Sequence, residues 1–290
     1  MRIVLTLLVR DEEDILAANL DYHLARGVDF VVVTDNRSVD ATPAILAEYV
    51  RRGVAHVIHE PGDDYAQARW VTRMARLAAT RFHATWVLNG DADEFWWPRD
   101  GDLRACLAGV PGAHGAVVAR RTNLLAHPRR SGPFHRRLVV RQATSANHLG
   151  EPLPPKVCHR ADPTVEVEQG NHRVAGGRVR SPLDDGRLEI LHVPVRTRAQ
   201  FERKIDVGGR AYARNRELPH TIGHVWRTLY RERAQGAVAS AFARFAPDEE
   251  TLADGLASGQ LALDFRLEEW LERVGGARHR AARVPPSLSR

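Results

Sequence analysis

Lysine is nearly missing from this chain. Of 42 lysines and arginines, only Lys156 and Lys204 are lysine. A basic balance made almost wholly of arginine and spread along the chain reads as a coding preference. The net charge of +6 and the pI near 9.9 therefore favour an anionic partner only in general terms, and nucleic acid is not singled out. Cysteine is equally scarce. Cys106 and Cys158 give neither a disulfide framework nor metal-ligand spacing, so they are expected as buried free thiols, one on a helix and one on a strand. The chain has no G-x-G-x-x-G or Walker sequence, which excludes the phosphate grip of dinucleotide and P-loop proteins. Internal repeats and flexible linkers are also lacking. The apolar start Met1–Val9 is too short to span a membrane, has no small-residue cleavage site, and runs straight into acidic residues. It is expected to be a buried first strand of a cytoplasmic protein, free or peripheral at the inner face of the membrane.

What is present is a globular composition, 290 residues with 43% hydrophobic and 27% charged, enough for one large domain or two small ones. The chain is organised around Thr85–Pro98, where an apolar run ends at Asp91, Asp93 and Glu94. Three carboxylates within four residues repel one another, and a cation is the natural group to place among them. Asp91 and Asp93, two apart, can point to one side of an extended or turning backbone. Oxygen ligands of this kind suit Mg2+ or Mn2+, which take a few carboxylates together with substrate phosphates. The alternative is a polar turn solvated between two apolar segments.

The pattern before that turn is strand–helix repeated three times. Ile3–Val9 reads as a strand, and Asp11–Asp14 opens a helix with apolar positions Ile15, Leu16, Leu20 and Leu24. Strands are expected at Phe30–Val33 and Val54–Ile58. Helices are expected from Asp40 (N-cap) to about Arg51 and from about Tyr65 to Arg81. Such alternation predicts a mostly parallel α/β sheet flanked by helices, with ligands outside the carboxyl ends of the strands. Those ends are Arg10–Glu12, Asp35–Arg37 and Asp91–Asp93. Later come a short helix near Leu103–Leu107 and strands at Ala116–Ala119, Leu138–Arg141, Lys156–His159 and Leu188–His192. The Arg- and His-rich segment His127–Arg137 reads as a mobile loop. Helices are expected at Ala199–Ala213, Val225–Ala243 and Phe265–Val274, followed by a disordered basic tail, Arg278–Arg290.

With these pieces placed, the chain resembles GT-A-type glycosyltransferases, and more narrowly the family 2-like and family 92-like group. The resemblance covers roughly residues 1–210. It is carried by Leu7–Glu13, Tyr22–Val28, Thr34–Thr42 and, most specifically, Trp86–Phe95. Weaker pieces are Pro155–Val157, Gly170–His172, Leu191–Arg196, and Phe201 with Lys204. It implies a Rossmann-like GT-A catalytic domain over 1–195, a helical C-terminal extension over 196–275 and the tail 276–290. It also implies transfer of a sugar from a nucleotide-sugar donor, by default a uridine diphosphate sugar, to a glycan, lipid-linked or small-molecule acceptor. Asp93 would bind Mn2+ or Mg2+, Asp91 would reach the metal or the ribose, and His192 would be a third ligand. Asp35 would hold the base or ribose, with Arg10 and Glu12 completing that pocket, Arg69 lying against the donor and Lys156 meeting the diphosphate. Glu94 is expected to brace the turn, Trp96-Trp97 to pack beneath it or else to stack on sugar faces, and Lys204 to be a surface or packing residue.

Two features depart from that pattern. Asp11 stands where an Asn usually precedes the Glu, and no acidic catalytic-base motif is evident. Asp162, Glu168 and His172 are the candidates for the base. The competing readings are a nucleotide- or glycan-binding module without activity and a DxD phosphohydrolase. The latter would want an earlier strand and a small hydroxyl residue at the position Phe95 holds. The C-terminal third is expected to shape acceptor binding, to dock on a membrane or to form a homodimer.

Overall fold

The computed structural model describes residues 1–63, 66–215, 218–219 and 221–281, the side chains of 274–281 excepted. Its first part winds as the pattern predicts: β1 (Ile3–Val9), α1 (Leu16–Ala25), β2 (Phe30–Asp35), α2 (Thr42–Arg51), β3 (Ala55–His59), α3 (Gln67–Thr80) and β4 (Trp86–Asp91). The four strands pair in parallel in the order β3-β2-β1-β4. Successive strand side chains point to opposite faces. Ile3, Leu5 and Leu7 therefore join Leu16 and Leu20 of α1 on one face, and Val4 joins Val71 and Met74 of α3 on the other. A strand covered on both faces reads as an unbroken apolar run, which is why β1 has no polar alternation. Because β2 and β4 flank β1 on opposite sides, the ends of β1 and β4 lie together at a switch point, with Leu8 opposite Asp91. Open α/β sheets bind ligands at such points.

The chain continues through β5 (Glu94–Pro98), α4 (Leu103–Ala108), β6 (Ala116–Ala126), α5 (Phe134–Arg137), β7 (Leu138–Gln142), β8 (Lys156–Arg160), the short pair β9 (Glu166–Val167) and β10 (Val174–Ala175), and β11 (Leu188–His192). It closes with α6 (Arg198–Arg214), α7 (His224–Arg231), α8 (Ala237–Ala243), α9 (Glu249–Ala257), β12 (Leu261–Leu263) and α10 (Arg266–Ala281). The main sheet runs β12-β7-β6-β8-β4-β1-β2-β3, with β11 bridging β6 and β5. β1 to β4, β6, β11 and β12 share one direction, and β5, β7 and β8 oppose them. The sheet is thus mixed, of mostly parallel strands, and flanked by helices. Cys106 lies on α4 and Cys158 is buried on β8, both as free thiols.

Four expectations change. Asp11–Asp14 is not a helical turn: α1 begins at Leu16 and Asp11 has a φ of 54°. Its carboxylates serve the neighbouring loop instead, Asp11 and Glu13 accepting the N–H groups of Val39 and Ala41 at 2.7 and 2.9 Å. His127–Arg137 is held in place rather than mobile. Phe134 is buried in the main core, Arg129 pairs with Glu249, Arg130 with Glu268 at 2.5 Å, and Arg136 with Glu272 at 2.6 Å. Val225–Ala243 is two helices: α7 ends at Arg231, a 3-10 turn follows over Arg233–Gln235, and α8 starts after Gly236, whose φ of 83° is the left-handed region that favours glycine. Finally, Arg278–Ala281 belongs to α10, and β12, absent from the sequence reading, adds an edge to the sheet. Residues 282–290 of the expected tail and Tyr65, the expected start of the third helix, lie outside the described residues.

The C-terminal helices have their own core, in which Phe201, Ile205, Leu229, Val238 and Phe245 pack with Leu125 and Val140 of the sheet. α6 and α7 cross closely: a Cβ on Gly209 would lie 2.3 Å from the Tyr230 side chain. No helix among the described residues is long and apolar enough to cross a membrane.

Candidate functional site

The acidic stretch is a tight turn between two strands. Asp91 ends β4, Ala92 and Asp93 form the turn, and Glu94 begins β5. The inner face of α1 holds it. The buried Asn19 amide donates to the carbonyls of Ala92 and Glu94 at 3.0 and 2.8 Å. One turn along, His23 Nδ1 donates to the Asn19 carbonyl at 2.9 Å, and its Nε2 accepts the Trp96 N–H at 3.2 Å. Burial pushes the His23 pKa down to about 4, which keeps the neutral ring this pairing needs. From the other side, Val193 N–H donates to the Asp93 carbonyl at 2.9 Å. Glu94, fully buried, accepts the Asp91 N–H at 3.2 Å, so it braces the turn as expected. Burial raises its pKa to about 7 against the pull of Lys156.

Both lysines of the chain converge here. Lys156 Nζ lies 2.7 Å from Asp91 Oδ2 and 3.3 Å from Glu94 Oε2, with its side chain 1% exposed. Lys204 Nζ lies 2.7 Å from Asp93 Oδ2 and 3.1 Å from Glu12 Oε1. Expected as a surface or packing residue, Lys204 is a partner of the acidic turn. Burial works against the Asp93 anion, but the Lys204 ammonium, with the Arg196 guanidinium beyond it, outweighs burial and holds the carboxyl well below the usual range. Arg196, missed in the sequence, is buried and binds Glu12 and Asp14, the latter at 2.6 Å. Arg121, also missed, faces Glu94 at 3.6 Å.

His192 ends β11, and its Nδ1 lies 2.7 Å from the Asn123 side-chain oxygen. An amide oxygen only accepts, so Nδ1 carries the proton and Nε2 keeps its lone pair. That lone-pair nitrogen lies 3.9 Å from Asp93 Oδ1. Burial drives the His192 pKa well below its ordinary value, so the ring is neutral. A hydrogen-bonded imidazole beside a carboxylate is the donor chemistry of a divalent-cation site, and on this ground Asp93 and His192 fit Mn2+ or Mg2+. Asp91 is turned elsewhere, to Lys156 and, at 3.4 Å, to the Asn171 amide. Among the described residues no three His, Cys, Asp or Glu side chains form a metal cluster. Mg2+ and Mn2+ sites commonly draw their remaining ligands from phosphates and water.

These groups face a cavity of about 410 Å³ at the β1/β4 switch point. Of the residues singled out by sequence, Arg10, Glu12, Asp91, Asp93, Lys156, His172 and His192 line it. Asp35, Arg69, Asp162 and Glu168 do not. Asp35 accepts the Ser38 N–H at 3.2 Å within its own turn, and its neighbour Asn36 reaches the cavity instead. Arg69 is exposed on α3, whereas Gln67, two residues before it, is buried and lines the cavity. Asp162 ties its own loop, accepting N–H groups of Thr164 and Arg178 at 2.8 and 2.7 Å. Glu168 is exposed and paired with Arg173 at 2.9 Å. Of the three base candidates only His172 borders the cavity, and its Nδ1 is bonded to the Pro155 carbonyl at 3.0 Å. Trp96 and Trp97 pack away from the cavity, Trp97 beside Tyr22 and the Arg26 guanidinium.

No family profile and no curated protein matches the chain. Among solved structures it is similar to S. aureus TarS 1–349 in complex with UDP, at 13% identity over 92% of this chain and 97% of that one, with a TM-score of 0.44. It is also similar to the mannosyltransferase PcManGT from Pyrobaculum calidifontis in complex with GDP-Man and Mn2+, at 18% identity over 89% and 79%, with a TM-score of 0.37. A third is glucosyl-3-phosphoglycerate synthase from Mycobacterium tuberculosis in complex with Mn2+, UDP and phosphoglyceric acid, at 22% identity over 42% and 43%, with a TM-score of 0.28. At these scores the functional reading rests on the site itself.

Proposed function

We propose that the protein is a glycosyltransferase that moves a hexosyl or related sugar from a nucleoside-diphosphate sugar to an acceptor hydroxyl with the help of Mn2+ or Mg2+. The observation that carries this reading is the pairing of Asp93 with the Nε2 lone pair of His192 at the switch point of the sheet. In the transfer, the acceptor oxygen bonds to the anomeric carbon while that carbon's bond to the diphosphate oxygen breaks. The electron pair leaves with the diphosphate, and the hydroxyl proton passes to a base. The bound ion supplies neutralisation of charge on the leaving diphosphate.

Asp93 and His192 would hold that ion, with Lys204 fixing the Asp93 carboxylate against Glu12. Asp91, steadied by Lys156, would face the donor ribose. Lys156 would then act on the diphosphate only through Asp91, because its ammonium is already shared between Asp91 and Glu94. Arg10 and Arg203 border the same cavity and offer guanidinium donors to phosphate oxygens. A uridine nucleotide is the first donor to test and a guanosine nucleotide the second.

Calorimetry with UDP and GDP, with and without Mn2+, tests the reading. Mn2+ is expected to strengthen nucleotide binding, and Asp93→Ala to abolish that gain. His192→Ala is expected to weaken metal affinity more than metal-free nucleotide affinity. Unchanged Mn2+–nucleotide affinity in Asp93→Ala would overturn the assignment. Slow release of nucleotide from a donor sugar separates an enzyme from a binding module of the same fold.

A further inference from the structure

The transfer needs a base, and the cavity holds few groups free to serve as one. The four carboxylates that line it are engaged: Asp91 with Lys156 at 2.7 Å, Asp93 with Lys204 at 2.7 Å, Glu12 with Lys204 at 3.1 Å, and Asp11 with the Val39 N–H at 2.7 Å. A carboxylate held by an ammonium is stabilised as the anion and takes a proton poorly. Four histidines also line the cavity. His192 turns its lone pair to Asp93, and His148 is buried among Phe201, Trp226 and Phe245. His224 and its partner Glu151, 2.7 Å apart, are each about half exposed. His172 is the fourth.

The ring of His172 is fixed from two sides. Its Nδ1 donates to the Pro155 carbonyl at 3.0 Å. A carbonyl only accepts, so Nδ1 carries the proton and Nε2 keeps its lone pair. That Nε2 has no hydrogen-bond partner among the described residues. Both attachments lead to Asp91. Pro155 precedes Lys156, whose ammonium lies on Asp91 Oδ2, and His172 follows Asn171, whose amide is 3.4 Å from Asp91 Oδ1. The loop turns through two left-handed residues, Gly170 with a φ of 81° and Asn171 with a φ of 61°. It is pinned to the start of α3, where the Gly170 N–H donates to the Gln67 side-chain oxygen at 3.1 Å and the Ala68 N–H to that of Gln169 at 2.9 Å. A Cβ at position 170 would come within 2.6 Å of Nε2, so glycine leaves that edge of the ring clear. Sparsely populated backbone conformations held by surrounding bonds gather at functional sites. Burial, with Lys156 and Arg121 acting in the same direction, lowers the His172 pKa to about 4, so the ring is neutral. An anionic diphosphate in the cavity offsets those two cations and makes the ring more basic once the donor is bound.

We propose that His172 is the catalytic base of the transfer, its Nε2 taking the proton of the acceptor hydroxyl as that oxygen bonds to the anomeric carbon. The bond from this carbon to the diphosphate oxygen breaks, and its electron pair leaves with the diphosphate. The imidazolium that forms keeps its Nδ1–H on the Pro155 carbonyl. The proposal rests on the glycosyltransferase reading and adds that an imidazole, not a carboxylate, accepts the proton. It also accounts for the lack of an acidic base motif.

The test uses the full chain with UDP-glucose, UDP-N-acetylglucosamine and GDP-mannose in Mn2+. Nucleotide release reads transfer to water or glycerol, and calorimetry reads UDP and GDP affinity. His172→Gln, whose amide can still donate to the Pro155 carbonyl, is expected to lower kcat by about 100-fold or more, the size of a general-base contribution, with nucleotide affinity unchanged. His172→Ala is expected to lose as much and to regain part of it when free imidazole is added, while His224→Gln keeps the wild-type kcat. Independently of turnover, nitrogen NMR of the histidine rings in the metal-free chain is expected to show His172 as the Nδ1–H tautomer with a bare Nε2. Turnover kept in His172→Gln overturns the proposal and leaves the enzyme reading standing. So do a His172→Ala variant that imidazole fails to restore, a loss seen in nucleotide affinity rather than kcat, and a ring protonated at Nε2. A kcat lost in His224→Gln and restored by imidazole overturns it in favour of His224. Nucleotide bound by the wild-type chain with no donor turned over, or no nucleotide bound at all, overturns the glycosyltransferase reading, and the base falls with it.

Discussion

The two sides of the cavity are stabilised in opposite ways. On the sheet side, Glu12, Asp14, Asp91, Asp93 and Glu94 interleave with Arg121, Lys156, Arg196 and, reaching in from α6, Lys204. Each charge there is held by a partner of the other sign, so the geometry is sharp and removal of one member leaves another stranded. On the helical side, Phe201, Leu229, Val238 and Phe245 hold the wall by apolar packing. A charged network suits a ligand whose charge and position are defined in advance. An apolar wall suits a ligand chosen by shape.

The largest expected effect breaks the charged network, through a lysine that α6 supplies. Lys204→Met leaves Asp93 and Glu12 facing each other without the ammonium, and stranding a buried charge costs about 3–5 kcal/mol. Chemical denaturation should show that loss in metal-free buffer, and Mn2+ with nucleotide should restore part of it by supplying the missing positive charge. If Mn2+ restores nothing, the ion does not bind at Asp93. Phe201→Ala is the counterpart on the helical side, with a cost of about 3–5 kcal/mol from the lost ring and the cavity left behind. Nucleotide affinity measured on the folded fraction should stay within a factor of about two, well under 1 kcal/mol. A larger loss would mean that the two sides are coupled.

Acid acts on the frame of the sheet side next. Burial lowers the pKa of His23 and of His159 to about 4, below the ordinary value of 6.5. A histidine depressed in the folded state contributes stability that is complete above the unfolded pKa and is lost as pH falls through the window from 6.5 to 4. Urea midpoints should therefore drop between pH 7 and pH 5, by up to about 2 kcal/mol per histidine at the lower pH. His159→Phe, which removes a ring whose Nε2 has no partner, should flatten that drop. An unaltered pH profile in this variant would show that His159 is not buried as the neutral ring. The smallest effect is Asn19→Ala, which frees the carbonyls of Ala92 and Glu94 and should cost about 1–3 kcal/mol. Because those carbonyls set the turn, Mn2+-dependent nucleotide binding should weaken with it. Retained affinity would assign Asn19 to stability alone.

Much of the sheet side was legible because its signals are local. The apolar run of β1, the Pro43 start of α2 and the strand-ending Asp91-Ala92-Asp93 each follow from neighbours within a few residues. The bracing role of Glu94 followed from its place beside the turn. Lys204 was misjudged for the opposite reason. Its partners, Glu12 and Asp93, lie more than a hundred residues away, and helical position alone cannot show that. Its rarity was the usable signal: in a chain that writes arginine almost everywhere, a lysine marks a place where a compact ammonium is wanted. Asp35 and Arg69, assigned by motif, do not line the cavity, whereas Asn36 and Gln67, one and two positions away, do, since facing direction along a strand end or helix start changes with every residue.

The residues by themselves determined the strand–helix alternation, the parallel start of the sheet, and the acidic turn at a strand end. Each of these depends on periodicity, on caps, or on mutual repulsion over a short span. Only the tertiary structure decided that Asn123 sets the tautomer of His192, that Asn19 and His23 hold the turn from behind, and that His148 is buried among Phe201, Trp226 and Phe245. Those outcomes join segments tens of residues apart. Hydrogen-bond direction and burial exist only once the segments have met.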